Sequence, residues 1–205
     1  QADLYIRGGG FDQTLLLLDG MKMDDSQTGH HTLNMLIPIE LIERVEIIKG
    51  PAARIFGQNA FNGAINIVTK SAYKTRKGEF SAFLNNISGG SFGNFKYSVR
   101  GNISKDNYKG LINYSREKSN GYRYNTDYKT DNLFLKSSLS KNNPNTIVLA
   151  TLSNRKFGAN GFYASPDATD QYEETQTSLI GIYSRYSSGN LIIKPKIYWR
   201  RNQDE

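Results

Sequence analysis

Hydrophobic and polar positions alternate through much of the second half of this chain. In "FKYSVRGNIS", Phe95, Tyr97, Val99, Gly101 and Ile103 fall on one side of an extended strand, and Lys96, Ser98, Arg100 and Asn102 on the other. "LIIKPKIYWR" repeats the pattern, with Leu191, Ile193, Pro195, Ile197 and Trp199 opposed to Lys194, Lys196 and Arg200. "YKGLINYS" and "LFLKSSLS" follow it less cleanly, and the faces of "TIVLATLSN" and "TSLIGIYSRY" do not separate. Connection lengths also alternate. "SKDN" (Ser104 to Asn107), "KNNPN" (Lys141 to Asn145) and "SSGN" (Ser187 to Asn190) read as tight turns. Between them lie long segments from Lys118 to Asn132 and from Lys156 to Glu174, while "SGGSFGN" is intermediate. Strands of about ten residues, with short turns at one end and long loops at the other, predict a transmembrane antiparallel β-barrel. The aromatic and aliphatic face would meet lipid, and the Lys, Arg, Asn and Ser face a wet lumen. Alternation alone is equally compatible with a soluble sandwich. The loop asymmetry, and basic side chains opposite a smooth apolar face, favour the barrel. About seven strands are visible, which would leave two unpaired edges in lipid, so a larger barrel is expected.

Residues 1–71 follow a different pattern, mixed and compact, before the strand-rich region 72–205. "TLLLLDG" reads as a buried strand ending in a turn, and "IPIELIER" (Ile37 to Arg44) as a short helix with Pro38 in its first turn. "VEIIKG" reads as a strand, "PAARIFG" as a one- or two-turn helix begun by Pro51, and "GAINIVTK" as another strand. The expectation is a small α/β unit. Gly57 and Gly63 would allow positive φ or close backbone approach in tight turns.

Composition narrows the function. The chain has 205 residues, 38% of them hydrophobic and 12% aromatic, which suits a surface-rich β protein better than a helical one. No run approaches the 18 or more apolar residues of a spanning helix. Cysteine is absent, which removes disulfides, thiolate metal sites and cysteine nucleophiles. The net charge of +7 is dispersed rather than clustered, so nucleic acid is not an expected partner. No Ser/His/Asp set or paired-carboxylate arrangement stands out, and no enzyme is expected. The chain opens mid-pattern in "QADLYIRGGG" and closes in "YWRRNQDE" without a turn, so both ends are expected to continue into a longer protein.

The order of elements in the first 71 residues resembles the plug domain of TonB-dependent outer-membrane receptors. The resemblance runs through Arg7-Gly8, "LLLLDG" with Asp19-Gly20, "IERVEIIKGP" with Glu46 and Gly50-Pro51, Phe56-Gly57, Ala60, Gly63 and "INIVTK" with Asn66. Phe56 stands where the family often has Tyr. Gly50-Pro51, rather than Asp-Ala, looks more like the siderophore and cobalamin branch than the glycan-importing branch that works with a surface lipoprotein. The resemblance implies the C-terminal part of a plug followed by the first strands of a barrel of about 22 strands. It also implies a TonB box in the preceding sequence, with TonB, ExbB and ExbD as partners, and location in a Gram-negative outer membrane. The implied activity is import of a scarce chelate, such as a ferric siderophore or cobalamin. An oligosaccharide importer and a non-transporting surface ligand-binding β protein are the alternatives.

No intrinsic cofactor is expected, although the ligand may bring iron or cobalt. "RGGG" lacks the Lys-Ser/Thr ending of a phosphate-binding loop and reads better as a plug turn. The resemblance directs the loop Met21 to Asn34 outward, making Met21, Met23, His30 and His31 candidate ligand contacts. The loop aromatics Tyr122, Tyr124, Tyr128, Phe157, Phe162 and Tyr163 either stack on ligand, pack among themselves or form a girdle at the membrane interface. Asp127 with Asp131 is a candidate calcium pair, without EF-hand spacing.

Overall fold

The computed structural model describes residues 6, 8, 11–23, 37–51, 53–72, 79–140, 145–161 and 165–204. The chain divides into two compact units, one built from residues 1–35 and 41–70, the other from 36–40 and 71–205.

The first unit is a four-stranded sheet made of β1 (Thr14–Leu18), β2 (Met21–Lys22), β3 (Ile42–Lys49) and β4 (Gly63–Thr69), in the order β2-β1-β4-β3. β1 pairs antiparallel with β2 and parallel with β4, and β3 pairs antiparallel with β4. All five residues of β1 are buried, as expected for a central strand covered on both sides. Leu15, Leu17, Ala60 and Ala64 form the core, with Ile48 and Phe56 against it. The helix after Pro51 is a single turn, α1 (Ala53–Phe56).

The helix expected over Ile37–Arg44 does not form. A 3-10 turn, Ile39–Leu41, leads straight into β3. The spacing of Ile37, Leu41, Ile42 and Val45 suits a helix, but Ile42, Val45, Ile47 and Ile48 also make a β-branched run. Pairing along β4, from Ile42↔Thr69 to Lys49↔Gly63, supplies a ladder that a helix here would forgo. A bulge between Ile42 and Arg44 absorbs the change of direction.

Two glycines are required by geometry. A Cβ on Gly63 would lie 2.4 Å from the Ile48 carbonyl oxygen, so only glycine lets β4 begin this close to β3. Gly57 has φ +82°, which ends α1 in the left-handed region.

The second unit is an antiparallel meander. Its strands are β5 (Phe80–Gly89), β6 (Phe95–Lys105), β7 (Tyr108–Ser119), β8 (Tyr128–Ser140), β9 (Asn145–Gly158), β10 (Tyr172–Ser188), β11 (Leu191–Ile193) and β12 (Lys196–Asp204). Each from β5 to β10 pairs with the next. β11 and β12 both pair with β10 in one continuous register, so they form a single strand position interrupted at Lys194-Pro195. Pro195 has no N–H to give the ladder, but its carbonyl still accepts from Ser184 N at 3.1 Å.

The faces of this sheet are inverted relative to a water-soluble one. Val99, Ile112, Leu135 and Ile180 are 38–50% exposed as a group with Val148, while Ser98, Arg100, Asn102, Asn113 and Thr151 are buried. The register resolves the faces that the sequence pattern left mixed. Leu149 and Leu179 point to the buried side together with Phe134 and Leu111, while Val148, Ile180 and Ile182 take the exposed side. Arg100 lies over the Phe83 ring, 4.5 Å from its centroid. The turn Ile39–Leu41 sends Glu40 to this unit, where its Oε1 accepts from Asn86 Nδ2 and pairs with Lys96 Nζ, each at 2.9 Å.

Candidate functional site: a plug-sheet clasp and an interlocked loop pair

The chemistry-bearing residues form two groups. In the first unit, Asp19 and Gly20 at the end of β1 converge with Glu46 and Asn66, which face each other midway along β3 and β4. Asp19 adopts φ +48°, a conformation that aspartate tolerates because its short side chain bonds locally. Its Oδ1 accepts from Thr69 N at 2.9 Å and its Oδ2 from Thr69 Oγ1 at 2.6 Å, while Asp19 N donates to Ile67 O. Gly20 N then donates to Asn66 Oδ1 at 2.8 Å. Asn66 Nδ2 donates to Glu46 Oε2 at 2.8 Å, directly across the β3–β4 ladder. Arg44 closes the set, with Nε and Nη2 on Glu46 Oε1 at 2.9 and 2.7 Å.

Hydrogen bonds from Asn66, and next from Arg44, hold the Glu46 carboxyl below its ordinary pKa. The Glu46 hydrogen bond likewise raises the Arg44 guanidinium. This clasp fastens three strands by polar contacts that run from the buried Thr69 to the exposed Arg44–Glu46 pair.

Neither the pairing of Arg44 with Glu46 nor that of Thr69 with Asp19 was foreseen from the sequence. Arg44 could have been found from its two-residue spacing to Glu46, which puts both on one side of a strand once the helix reading is abandoned. No sequence signal pairs Thr69 with Asp19, fifty positions away.

Met21 and Met23 are buried, at 0% and 5% exposure, so a ligand contact there requires this sheet to open. Arg7, His30, His31 and Tyr163 lie outside the described residues. Gly50 has φ +102°, and its N–H donates to Asn62 O, a turn that seats Pro51 ahead of α1.

In the second unit, the segments after β7 and after β9 interlock. Asn125 Nδ2 donates to the carbonyls of Thr169 at 2.8 Å and Gln171 at 2.6 Å. Asn160 Nδ2 donates to Tyr124 O, and Arg123 Nη2 to Asn160 O. Tyr124 OH donates to Asp170 Oδ1 at 2.7 Å, which raises the phenol pKa, and Gly158 N donates to Asp127 O. A Cβ on Gly158 would lie 2.4 Å from Asn125 O, so the strand end is glycine by necessity. The pair therefore presents one surface, from which Tyr122 and Tyr124 project, with the Arg123 guanidinium over the Tyr122 ring.

The two candidate calcium residues are not brought together. Asp127 lends its backbone carbonyl to the loop pair, while Asp131 accepts from Arg116 Nε and Tyr114 OH, each at 2.6 Å. Among the described residues, no group of three or more His, Cys, Asp or Glu is placed to hold a metal ion.

Comparison with known proteins follows the same division. Residues 1–64 match the model of the TonB-dependent receptor plug domain. The vitamin B12 transporter BtuB of Vibrio vulnificus strain YJ016 is 32% identical over 124 residues, 60% of this chain and 19% of that protein. The iron-regulated outer membrane virulence protein of Vibrio cholerae is 38% identical over 74 residues, 33% of this chain and 11% of that protein. The chain thus spans less than a fifth of the length of these relatives. The solved siderophore receptor PiuA of Acinetobacter baumannii matches 98% of this chain and 30% of its own with a TM-score of 0.73, at 13% identity, a likeness of fold. The inverted faces of the meander have their explanation in such a barrel wall, whose apolar side meets lipid. Residues 1–64 thus match the plug domain of TonB-dependent receptors, and the inside-out meander that follows is similar in fold to the barrel walls of such receptors.

Proposed function

We propose that the full-length receptor imports a metal chelate, a corrinoid or a ferric siderophore, across the outer membrane, driven through TonB with ExbB and ExbD. The observation that carries this reading is the clasp of Asp19, Gly20, Asn66 and Glu46 on a sheet whose central strand is fully buried. A gate must stay shut without ligand yet yield to a mechanical pull. Polar contacts of this kind meet both demands better than additional apolar packing. The loop pair with Tyr122, Arg123 and Tyr124 offers aromatic and cationic contacts to an anionic or ring-bearing chelate. The printed names of relatives, a vitamin B12 transporter and an iron-regulated protein, support the chelate class.

The test is uptake of radiolabelled cyanocobalamin and of a panel of iron-55 siderophores by cells expressing the full-length receptor, with and without TonB. One chelate should accumulate only when both receptor and TonB are present. Accumulation of none, or accumulation indifferent to TonB, would refute the reading.

A further inference from the structure

The outward face of the barrel wall ends, on the long-loop side, in a row of lysines set abreast. The register places Lys118 opposite Lys129, and Lys129 opposite Lys156, with all three exposed. Glu174 follows as the next residue across, paired with Lys156 Nζ. One step toward the membrane, the adjoining row holds Arg116, Asp131, Asn154 and Gln176. Asp131 takes Arg116 at 2.6 Å and Lys129 at 3.9 Å. The two rows therefore carry four cations against two carboxylates.

Like charges directly opposite one another in a sheet are destabilising, and three in succession across neighbouring strands is an arrangement that folding alone does not favour. With strands spaced about 4.8 Å apart, the outer two lysines stand about 10 Å apart at their Cα atoms, the reach of one or two phosphate groups. A cavity of about 400 Å³ lies at this place, lined by Lys129, Asp131, Asn154, Lys156, Glu174 and Gln176.

Its height on the wall identifies the occupant. Tyr108, at the short-turn end of β7, is ten residues below Lys118 on the same strand face. At about 3.3 Å per residue and a strand tilt near 40°, that separation is about 25 Å along the membrane normal, the height of a barrel's apolar band. Phe95, Tyr97 and Tyr114 mark its upper limit, with successive ring centroids 6.0 Å apart. The lysine row thus sits at headgroup level on the side of the long loops, which is the outer leaflet.

We infer that Lys118, Lys129 and Lys156, with Arg116, form a docking site for the phosphorylated headgroup of an outer-leaflet lipid. The phosphate bridges the lysine row and the acyl chains descend over Val99, Leu133 and Leu152. This assignment rests on the barrel wall and is independent of which chelate the receptor carries.

The experiment is native mass spectrometry of the full-length receptor, extracted from its own outer membrane in non-ionic detergent, comparing wild type with the triple variants K118Q/K129Q/K156Q and K118R/K129R/K156R. Each lysine beside an anionic surface is worth roughly fivefold in affinity, so the glutamine variant should retain about one-hundredfold less phosphorylated lipid. The arginine variant should retain it as the wild type does. Heat-modifiable gel mobility checks that each barrel is folded, and K129Q alone, with roughly a fivefold loss, serves if the triple glutamine variant does not assemble. Equal lipid retention by wild type and folded glutamine variants would overturn the inference. Stabilisation of the receptor by inorganic phosphate, without any retained lipid, would overturn it in favour of a free anion.

Discussion

Asp19 offers a direct measure of how the plug-type sheet is fastened. Its carboxylate accepts from both the N–H and the hydroxyl of Thr69, a residue that is 1% exposed. Asp19→Ala deprives both buried donors of this acceptor, at about 1 kcal/mol or more each, and sets alanine at φ +48°, which adds about 1 kcal/mol. The expected total is about 3 kcal/mol, or roughly two orders of magnitude in local opening. Asp19→Gly loses the same hydrogen bonds without the backbone strain, so it should lose about 2 kcal/mol. Asp19→Asn keeps one acceptor oxygen and tolerates the left-handed backbone, so its loss should be about 1 kcal/mol. Hydrogen–deuterium exchange on the full-length receptor in detergent, followed in peptides covering β1 and β4, would rank the three. The reasoning fails if Asp19→Ala exchanges like wild type, or if Asp19→Asn is as damaging as Asp19→Ala.

Glu46 adds a pH dependence. Its carboxyl is held below the ordinary glutamate pKa, so its contribution is present above that ordinary value and is lost as pH falls through the lowered folded value. The urea midpoint of Glu46→Gln should therefore lie below that of wild type at neutral pH and converge with it in acid; a constant gap would contradict this. Gly63→Ala forces a Cβ to within 2.4 Å of a backbone oxygen, and should destabilise the β3–β4 pairing by about 1–3 kcal/mol, read as faster exchange in β3. Asn125→Gly preserves φ +49° but removes two hydrogen bonds between the long loops. Proteases added to intact cells should then cut after β9 several-fold faster, with heat-modifiable mobility unchanged.

Legibility in the sequence depended on whether the two faces of a strand differ in chemistry. On β6 they do, because Lys96, Ser98, Arg100 and Asn102 oppose Phe95, Tyr97, Val99 and Ile103, and the alternation predicted which residues share each face. On β9 and β10 they do not. Leu149 and Leu179 face the buried side near Phe134, while Val148 and Ile180 face the exposed side, so apolar residues occupy both and the period is hidden. The stretch Ile37–Arg44 misled for a related reason. Its spacing satisfied a helix, and only the partner strand β4, distant in sequence, decides for β3.

The plug motif was legible as an ordered string of residue types around Asp19, Gly20, Glu46, Gly63 and Asn66. That these residues form one hydrogen-bonded set was not, since Asp19 and Thr69 meet only when β1 and β4 run parallel. The lysine row was invisible for the same reason. Lys118, Lys129 and Lys156 lie on three strands, and only the register sets them abreast.

The central claim is that this meander is a barrel wall with its apolar side in lipid, and nitroxide scanning of the full-length receptor in bilayers tests it most directly. Single labels would be placed at Val99, Ile112, Leu135 and Ile180 on one face, and at Ser98, Asn113, Thr151 and Leu179 on the other. Labels on the first set should be relaxed strongly by oxygen dissolved in the bilayer and weakly by a water-soluble nickel chelate, while those on the second set should be shielded from oxygen. Equal oxygen access on both faces, or stronger access at Ser98 and Asn113 than at Val99 and Ile112, would contradict the account.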